Sequence, residues 1–381
     1  MTINNSNPIR ILHVLTAMNM AGTETLLMNF YRNMDRTKVQ FDFAVTAEKE
    51  CAYDAEILEL GGKIIRYPLY RGINHFSYVS WWNNFFKNHP EYHVVHGHIG
   101  STAAIYLSIA KKYGCYTIAH SHSTYGPMNL HTFLYKVYSY PTRFIADYFM
   151  GCSQDALVSR YGTGVLKYPN HFILKNGIDA KKYIYSAELR EKIRKEFHIE
   201  PGKIVIGTVG RLTPPKNPQF IIQLIKELDK RGVDFQFLWV GTGEKEKEIR
   251  DALHSELANR HVLMVGARTD VYALLQAMDI FVFPSVFEGL GIAAIESQAA
   301  DLPTLCSSTI PAEVNISDRC QFLSINDVTI WANALQEIIA KKSYHFRKDQ
   351  YGSIKRAGYD IIDVVKKLTK MYLDFYHFQR N

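Results

Sequence analysis

Residues 280–296 read IFVFPSVFEGLGIAAIE, which joins an apolar run to a glycine turn and then to the start of a helix. The run Ile280–Phe283 has the length and character of a buried strand, and Gly289 and Gly291 supply the turn. A strand that leads directly into a helix is the repeating unit of a parallel sheet covered by helices. The free N–H groups at such a helix start favour an anion, so this stretch predicts a phosphate site on an α/β fold.

Two carboxylates lie in this stretch, one in the turn and one in the helix. Glu288 lies within the turn, and Glu296 lies about one and a half turns into the helix. At that separation they cannot share one proton, so we expect them to serve two different groups. A carboxylate accepts both hydrogens of a vicinal diol, which suits Glu296 to a ribose and Glu288 to sugar hydroxyls. For this segment alone, a helix-capping glutamate and an ordinary exposed one remain the alternative.

Two other strand ends carry candidate ligands. Gly210-Arg211-Leu212 is followed by a Pro-Pro turn and Lys216, so two cations come after one strand. An arginine fork and a lysine point charge match a pyrophosphate. Gly241 and Gly243 follow the next strand, where glycine lets a ligand or a backbone approach closely, although the third glycine of a dinucleotide fingerprint is missing.

Strand-sized runs alternate with helix-sized segments along the whole chain. This alternation predicts two Rossmann-like, doubly wound parallel-sheet domains that face a central cleft. We expect a first domain over 1–178, a second over 179–359, and a C-terminal helix, 360–381, that packs back on the first. The predicted strands are Ile11–Leu15, Phe41–Val45, Lys63–Tyr67, His93–His96, Tyr116–His120, Tyr148–Cys152, His171–Leu174, Ile204–Val209, Phe235–Val240, Val262–Val265, Ile280–Phe283 and Thr304–Cys306.

Composition narrows the class of protein. Of the 381 residues, 47% are hydrophobic and 21% charged, as in folded globular proteins. The longest apolar runs are far shorter than the roughly 18 residues of a membrane-spanning helix. The polar start, Met1–Pro8, lacks the apolar core of a signal peptide, so we expect a cytoplasmic protein. The five cysteines are widely spaced, which predicts reduced thiols rather than disulfides or a zinc site.

Four motifs follow one another in order along the chain: Asn176-Gly177-Ile178-Asp179, Gly210-Arg211-Leu212 with Lys216-Asn217, Val240-Gly241-Thr242-Gly243, and Glu288 eight residues before Glu296. Together they resemble the retaining family 4 glycosyltransferases over nearly the whole chain. The local sequences of Phe287–Leu290, Glu296–Ala300 and Ala119–His122 most resemble those of bacterial enzymes of capsule and exopolysaccharide assembly. The resemblance implies a GT-B fold, a nucleoside-diphosphate sugar as donor substrate, no obligatory cofactor or metal, and retention of anomeric configuration.

The resemblance also implies roles for individual residues. It places Arg211 and Lys216 on the diphosphate, Glu288 on the donor sugar and Glu296 on the ribose. The remaining donor-binding candidates lie in the glycine-containing loops: Gly22, Gly210, Gly241, Gly289, Leu290 and Gly291.

Two positions depart from the family pattern. Ala21 stands where the loop after the first strand usually has a glycine, which leaves Gly22 to approach the phosphates and Thr23 and Glu24 as acceptor-side candidates. Asp301 also replaces a common glycine, and we expect that change to be a neutral one in a turn.

Histidines form two His-x-His pairs at the ends of consecutive predicted strands. Alternation places His96 with His98, and His120 with His122, on one face of each strand. The resemblance implies that one histidine at the end of the second of these strands lines the reaction centre. His122 is the preferred candidate and His120 the second, with His98 and His120 also on the acceptor side. The alternative is that histidines here satisfy backbone groups at strand ends.

Three other functions remain open from the sequence. One is a nucleotide-sugar epimerase of GT-B fold, which would act on the donor alone. Another is a metal-dependent hydrolase that uses the four histidines as zinc ligands, although no carboxylate or cysteine completes either pair. The third is a non-catalytic sugar-binding protein, against which the joint presence of Arg211, Lys216, Glu288 and Glu296 argues.

Residues 61–146 carry eight bases and a single acid, Glu91, which indicates an anionic partner. Aromatic residues are interleaved with them: Trp81, Trp82, Phe85, Phe86, Tyr125, Phe133, Tyr135, Tyr138 and Tyr140. Cations and aromatic rings together favour the surface of an anionic membrane. We therefore expect a glycan or lipid-linked glycan acceptor, peripheral association with the inner face of the plasma membrane, and no nucleic-acid partner. Core rings and a solvated basic face are the alternative.

Overall fold

The computed structural model describes residues 7–123, 130–342, 344 and 346–378, with only the backbone of His131. The chain divides into two compact units, the first formed by residues 1–178 and 359–381 and the second by residues 179–358. Each unit is built on one parallel sheet, which confirms the predicted α/β class.

The first unit contains a seven-stranded parallel sheet in the order β3-β2-β1-β4-β5-β6-β7. Its strands are β1 Ile9–Val14, β2 Val39–Val45, β3 Ile64–Arg66, β4 Tyr92–Gly97, β5 Tyr116–Ser121, β6 Tyr148–Gly151 and β7 His171–Ile173. Its helices before the chain leaves the unit are α1 Gly22–Asn33, α2 Asp54–Glu59, α3 His75–Asn88, α4 Ala103–Lys112, α5 Leu130–Ser139 and α6 Gln154–Tyr161. Every residue of β2 is buried, as expected for a strand covered on both faces.

The second unit contains a six-stranded parallel sheet in the order β10-β9-β8-β11-β12-β13. Its strands are β8 Ile204–Val209, β9 Phe235–Val240, β10 Val262–Met264, β11 Ile280–Phe283, β12 Thr304–Ser307 and β13 Cys320–Leu323. Its helices are α7 Ala187–Glu196, α8 Pro218–Lys230, α9 Glu246–Ala252, α10 His254–Ala258, α11 Val271–Ala277, α12 Ile292–Ala299, α13 Val328–Lys341 and α14 Tyr351–Arg356. Each predicted strand is present in one of the two sheets, whereas β13 was not predicted.

The last helix, α15 (Ile361–Phe378), belongs to the first unit. Leu368 and Tyr372, one turn apart, are fully buried in the core that also contains residues of α1, β1 and β2. The backbone N–H of Ile361 donates to the carbonyl of Ile178 at 2.9 Å, which anchors the start of the helix. A side chain on Gly177 would lie 3.0 Å from the Cα of Ile361, so this glycine allows the helix to pack closely.

Asp301 is more than a neutral turn residue. Its φ of +53° is left-handed, a conformation that costs a residue other than glycine about 1 kcal/mol or more. Its buried carboxylate accepts hydrogen bonds from Arg319 Nε at 2.8 Å and Nη2 at 2.9 Å. It also accepts from the backbone N–H of Lys348 at 2.6 Å and from Gln350 Nε2 at 2.8 Å. The carboxylate therefore ties the segment before α14 to the end of α12.

We expect Asp301→Gly to destabilise the protein although it relieves the left-handed backbone. Removal of one partner of a buried ion pair costs about 3 kcal/mol, and the relieved backbone returns about 1 kcal/mol. The expected net loss in the free energy of unfolding is about 2 kcal/mol, measured by urea denaturation. Lys342→Gly is the matched control, because Lys342 is left-handed (φ +50°) but exposed, and it should be neutral or slightly stabilising. A neutral Asp301→Gly would show that the carboxylate stabilises the fold by no more than the relieved backbone returns.

Candidate active site

Two loops at the carboxyl ends of β8 and β11 are joined by their backbones. The loop after β8 contains a short 3₁₀ turn, Pro214–Lys216, and the loop after β11 begins at Pro284. The backbone N–H of Val286 donates to the carbonyl of Pro215 at 2.8 Å. The side-chain amide of Asn217, at the start of α8, donates to the carbonyl of Pro284 at 3.2 Å. The turn that carries Lys216 is thereby fixed beside the loop that carries Glu288.

Lys216 and Glu288 form an ion pair within this joined structure. Lys216 Nζ lies 2.5 Å from Glu288 Oε1, and the two side chains are only 26% and 12% exposed. Lys216 Nζ also lies 5.0 Å from the centroid of the Phe283 ring, within the range of a cation–π contact. A phosphate that binds Lys216 would compete with Glu288 for the ammonium group and free a carboxylate oxygen for another donor.

The turn between Glu288 and α12 requires glycine. Gly291 has a φ of +96° and immediately precedes the helix, and a side chain there would lie 3.2 Å from the Phe283 ring. The side chain of Leu290 is buried, so only its backbone can face a ligand. The predicted glycine turn and helix start are therefore present shortly after Glu288, whereas phosphate binding there stays a prediction. Donor contacts of Gly289, Leu290 and Gly291 stay a prediction.

Gly241 permits a close approach of two backbones. It has a φ of +135°, and a side chain there would lie 1.9 Å from the carbonyl oxygen of Gly210. The backbone N–H of Leu212 donates to the carbonyl of Thr242 at 2.9 Å, which holds the two loops together. The sequence left open whether these glycines allow a ligand or another backbone to approach. The structure shows a close approach of another backbone. Arg211 lies on the same loop with an exposed side chain, and no ion pair of its guanidinium is found among the described residues.

Glu296 has its own partner, Tyr183, which sequence reasoning missed. Tyr183 Oη donates to Glu296 Oε1 at 2.6 Å. Burial raises the pKa of Glu296 to about 7, against the opposing effect of this hydrogen bond. Within the protein, Glu288 and Glu296 thus contact different partners, Lys216 and Tyr183, while their predicted roles on sugar hydroxyls and on a ribose stay predictions. Tyr183 lies in a 3₁₀ turn, Ala180–Tyr183, directly after the Asn176–Asp179 motif, and that position was the only signal in the sequence.

The loop before α1 places little steric constraint on Ala21 and Gly22. Ala21 is the N-cap of α1 in an extended conformation, and Gly22 is the first helical residue. A side chain at Gly22 would meet nothing within 4 Å, so no packing reason for this glycine is visible. Thr23 and Glu24 lie in the first turn and are partly buried. Their predicted roles on the acceptor side, and that of Gly22 near the donor, stay predictions.

The two histidine pairs of the first unit come together in one cluster, which includes a fifth histidine, His13, from β1. His13 Nδ1 lies 3.0 Å from His98 Nε2, and His98 Nδ1 lies 2.8 Å from His122 Nε2. In a second chain of hydrogen bonds, His96 Nε2 lies 3.1 Å from His120 Nδ1, and His96 Nδ1 lies 2.7 Å from the hydroxyl of Tyr372 in α15. Sequence reasoning missed His13 and Tyr372, because neither belongs to a His-x-His pair.

The histidines of this cluster are uncharged at neutral pH. Desolvation of the packed rings lowers the pKa of all five, for His13 and His122 to about 3. Nearby Arg160 contributes to the shift at His122. The buried Nε2 atoms of His13 and His120 have no hydrogen-bond partner among the described residues. Two groups of three ring nitrogens lie close enough to hold a metal ion, one in His13, His96 and His98 and one in His98, His120 and His122.

The basic stretch is only partly available to an anionic partner. Ion pairs with carboxylates engage Arg66 at 2.8 Å and Lys111 at 2.6 Å. Trp82, Phe85 and Phe86 are buried in the core, so the core alternative holds for those rings. The aromatic residue Tyr125 lies outside the described residues. Large apolar side chains are instead exposed on α5 and the turn after it: Leu130, Phe133, Leu134, Val137, Tyr138, Tyr140 and Phe144.

Comparisons with known proteins agree with this architecture. Residues 189–354 match the family described as "Glycosyl transferases group 1". The putative glycosyltransferase EpsF of Bacillus subtilis is 29% identical over 381 residues, which is 97% of each chain. An Escherichia coli relative, UDP-Gal:alpha-D-GlcNAc-diphosphoundecaprenol alpha-1,3-galactosyltransferase, is 27% identical over 53% of this chain and 54% of its own. The crystal structure of Anabaena Alr3699/HepE in complex with UDP superposes with a TM-score of 0.77 at 16% identity, over 96% of this chain and all (100%) of that one. No described helix is both long and apolar enough to cross a membrane.

The raised pKa of Glu296 gives the stability of the protein a specific pH dependence. The folded state holds this proton up to about pH 7, whereas the unfolded chain releases it near the ordinary pKa of 4.5. Wild type should therefore lose stability relative to Glu296→Gln as the pH rises between these values, with no further change above them. Urea denaturation at about pH 4.5, 6 and 7.5 measures the difference. The exposed Glu244→Gln is the control and should differ from wild type by a constant amount. A constant difference for Glu296→Gln as well would contradict the shift.

Proposed function

We propose that this chain transfers a sugar from a nucleoside-diphosphate donor to a glycan acceptor, with retention of configuration, in cell-surface polysaccharide assembly. The match of residues 189–354 to the family described as "Glycosyl transferases group 1" supports this proposal. The observation that carries the proposal is the Lys216–Glu288 ion pair, held beside the start of α12 by two joined strand-end loops. Glu296 stands further along the same helix with Tyr183 as its partner. The second unit in this proposal binds the donor, and the first binds the acceptor.

The proposed donor chemistry follows from the charges. When the bond between the sugar and the diphosphate breaks, its electron pair stays on a phosphate oxygen, and negative charge develops there. In this proposal, Arg211, Lys216 and the N–H groups at the start of α12 stabilise that charge. Engagement of Lys216 by phosphate frees Glu288 to accept hydrogen bonds from the sugar. Glu296, when ionised, accepts both ribose hydroxyls. Because the cations come from the protein, no metal ion is needed for this step.

We propose that His122 lines the reaction centre. With a pKa of about 3 its ring is neutral at physiological pH. A neutral imidazole offers one donor and one acceptor, so it can orient a sugar hydroxyl without adding charge. His98 and His120 support the ring by contact, with His98 Nδ1 at 2.8 Å from His122 Nε2 and the rings of His120 and His122 at 3.9 Å between centroids. Thr23 and Glu24 complete the proposed acceptor side.

The acceptor proposed here is a glycan on a lipid carrier. Its support is the E. coli relative, whose name specifies a diphosphoundecaprenol-linked sugar as acceptor. The exposed apolar side chains of α5 add an amphipathic surface suited to a membrane interface, with Lys136 and Arg143 in the same segment. We propose that the protein binds the inner face of the plasma membrane through this surface.

Replacement of either diphosphate ligand tests the donor assignment. Arg211→Ala and Lys216→Ala should each lower turnover about 100-fold or more, because a cation that stabilises developing charge is lost. Lys226→Ala, which removes an exposed lysine from α8, is the matched control and should keep wild-type turnover. Transfer from nucleotide sugars to lipid-linked acceptors is measured, with Tm as the check on folding. Near-normal turnover in both site variants would remove these residues from the mechanism, and conversion of the donor without acceptor would point to an epimerase.

Sedimentation with anionic vesicles tests the membrane surface. Wild type should sediment with vesicles that contain phosphatidylglycerol at low salt, and binding should fall as salt rises through screening. Phe133→Ser combined with Val137→Ser should lower the partition coefficient about 10-fold, because two apolar side chains no longer enter the interface. Phe346→Ser removes a ring that is more exposed, 80% against 55% for Phe133, from the second unit and should leave binding unchanged. Wild-type protein that stays in the supernatant at low salt would reject membrane docking.

A further inference from the structure

The histidine cluster contains more imidazole rings than the proposed sugar transfer uses. His98, His120 and His122 each offer one ring nitrogen, and the three nitrogens lie within 4.8 Å of one another. His120 lies in β5, and His98 and His122 directly follow β4 and β5, which are hydrogen-bonded neighbours, so the paired strands bring the three rings to one sheet end. The proposed reaction uses only one of these rings directly. The remaining ring nitrogens therefore call for another explanation.

The opposite nitrogens of two of these rings already have partners. His98 Nε2 is held by His13 Nδ1 at 3.0 Å, and His120 Nδ1 is held by His96 Nε2 at 3.1 Å. His96 is in turn fixed by the hydroxyl of Tyr372 at 2.7 Å. An outer layer of hydrogen bonds that orients each ring is the usual surrounding of a metal-ligating histidine. It leaves His98 Nδ1 and His120 Nε2 directed to other partners.

His120 Nε2 is buried and has no hydrogen-bond partner in the described part of the chain. A buried polar atom without a partner is rare and costs free energy. A metal ion bound there would satisfy it.

We propose that His98 Nδ1, His120 Nε2 and His122 Nε2 bind one zinc-class divalent transition-metal ion, with a fourth position open. Metal–nitrogen distances of about 2.0–2.1 Å would require the three rings to turn toward a common point. The hydrogen bond between His98 and His122 gives way to shared coordination. Imidazole nitrogens suit Zn²⁺, Cu²⁺ and Ni²⁺, and not Mg²⁺ or Ca²⁺. Because Arg160 adds positive charge near His122, an anionic fourth ligand such as hydroxide or a phosphate oxygen is favoured.

The second triad, His13, His96 and His98, is the poorer site. His13 and His96 lie inside strands with no exposure to solvent, and Tyr372 already occupies His96 Nδ1. His98 and His122 are partly exposed, which gives an ion and its fourth ligand a route of entry. Both triads need His98, so the cluster holds one ion.

Metal binding has a consequence for the enzyme. An ion on His122 Nε2 removes that nitrogen from the acceptor, so zinc should inhibit transfer and a chelator should restore it. This consequence rests on the proposed function, whereas the metal site itself does not. The site is therefore tested first in the whole 381-residue chain without substrates.

Titration of the metal-free chain with Co²⁺, followed by visible absorption, and with Zn²⁺, followed by calorimetry, tests the site. Wild type should bind one equivalent, with the absorption of a nitrogen-ligated, four- or five-coordinate Co²⁺ ion. His120→Gln and His122→Gln should each weaken binding at least about 100-fold, since loss of a ligand should exceed the loss of an outer hydrogen bond. His75→Gln, which removes an exposed histidine from α3, is the control and should bind as wild type does.

If His120→Gln fails to fold, the His122→Gln variant still tests the site, because His122 is partly exposed. The Tm of each metal-free variant reports folding, and Zn²⁺ should raise the Tm of wild type but not of His122→Gln. Absence of Co²⁺ binding in wild type would overturn the site, as would full affinity in a folded His122→Gln variant. Loss of binding in His13→Gln, with binding kept in His120→Gln and His122→Gln, would also overturn it. Binding without inhibition would leave the metal site in place and remove His122 from the reaction. Sugar transfer by a wild-type protein that binds no metal would overturn the metal site and leave the proposed function in place.

Discussion

A backbone hydrogen bond from the N–H of Val286 to the carbonyl of Pro215, at 2.8 Å, joins the two loops on which the donor side depends. Lys216 and Glu288 are far apart in sequence and lie on different strand-end loops. An ion pair by itself is a weak constraint on two mobile loops, because side-chain entropy and solvent offset most of its Coulomb energy. The main-chain contact fixes both loops first, and the 2.5 Å pair follows from it. Pro215 suits this role, since proline restricts its own backbone and leaves its carbonyl free to accept.

The first unit is organised around uncharged rings. Five imidazoles in contact would repel one another if protonated, and their desolvation removes that charge. One of the two hydrogen-bonded chains of the cluster, from His120 through His96, ends on Tyr372, which comes from the last helix of the chain. Residues 359–381 therefore do more than cover a sheet, because they orient a ring within the cluster. Gly177 makes this possible by allowing the start of α15 to approach closely.

The misses in the prediction have separate physical causes. β13 was missed because its residues Cys320–Leu323 lie at a sheet edge with partly exposed side chains, so it lacks the continuous apolar run of a central strand. The rings of Trp82, Phe85 and Phe86 were grouped with a membrane surface, but helical spacing buries them against α4. Asp301 looked like a turn residue because its partner, Arg319, is eighteen positions away. Sequence spacing does not reveal which buried cation a carboxylate will meet.

The sequence alone determined the α/β class, nearly all strands, and the motifs at their carboxyl ends, because burial patterns and glycine turns are local properties of the chain. It also predicted that Glu288 and Glu296 serve separate groups, because a glycine turn and more than one helical turn separate them. Only the tertiary structure showed the partners of these carboxylates within the protein, Lys216 and Tyr183, and it brought His13 and Tyr372 to the histidine cluster. These residues arrive from other strands, turns and helices, and no periodicity along the chain encodes such a meeting. Their positions follow from the packing of parallel strands, which brings the ends of distant segments to one edge of a sheet.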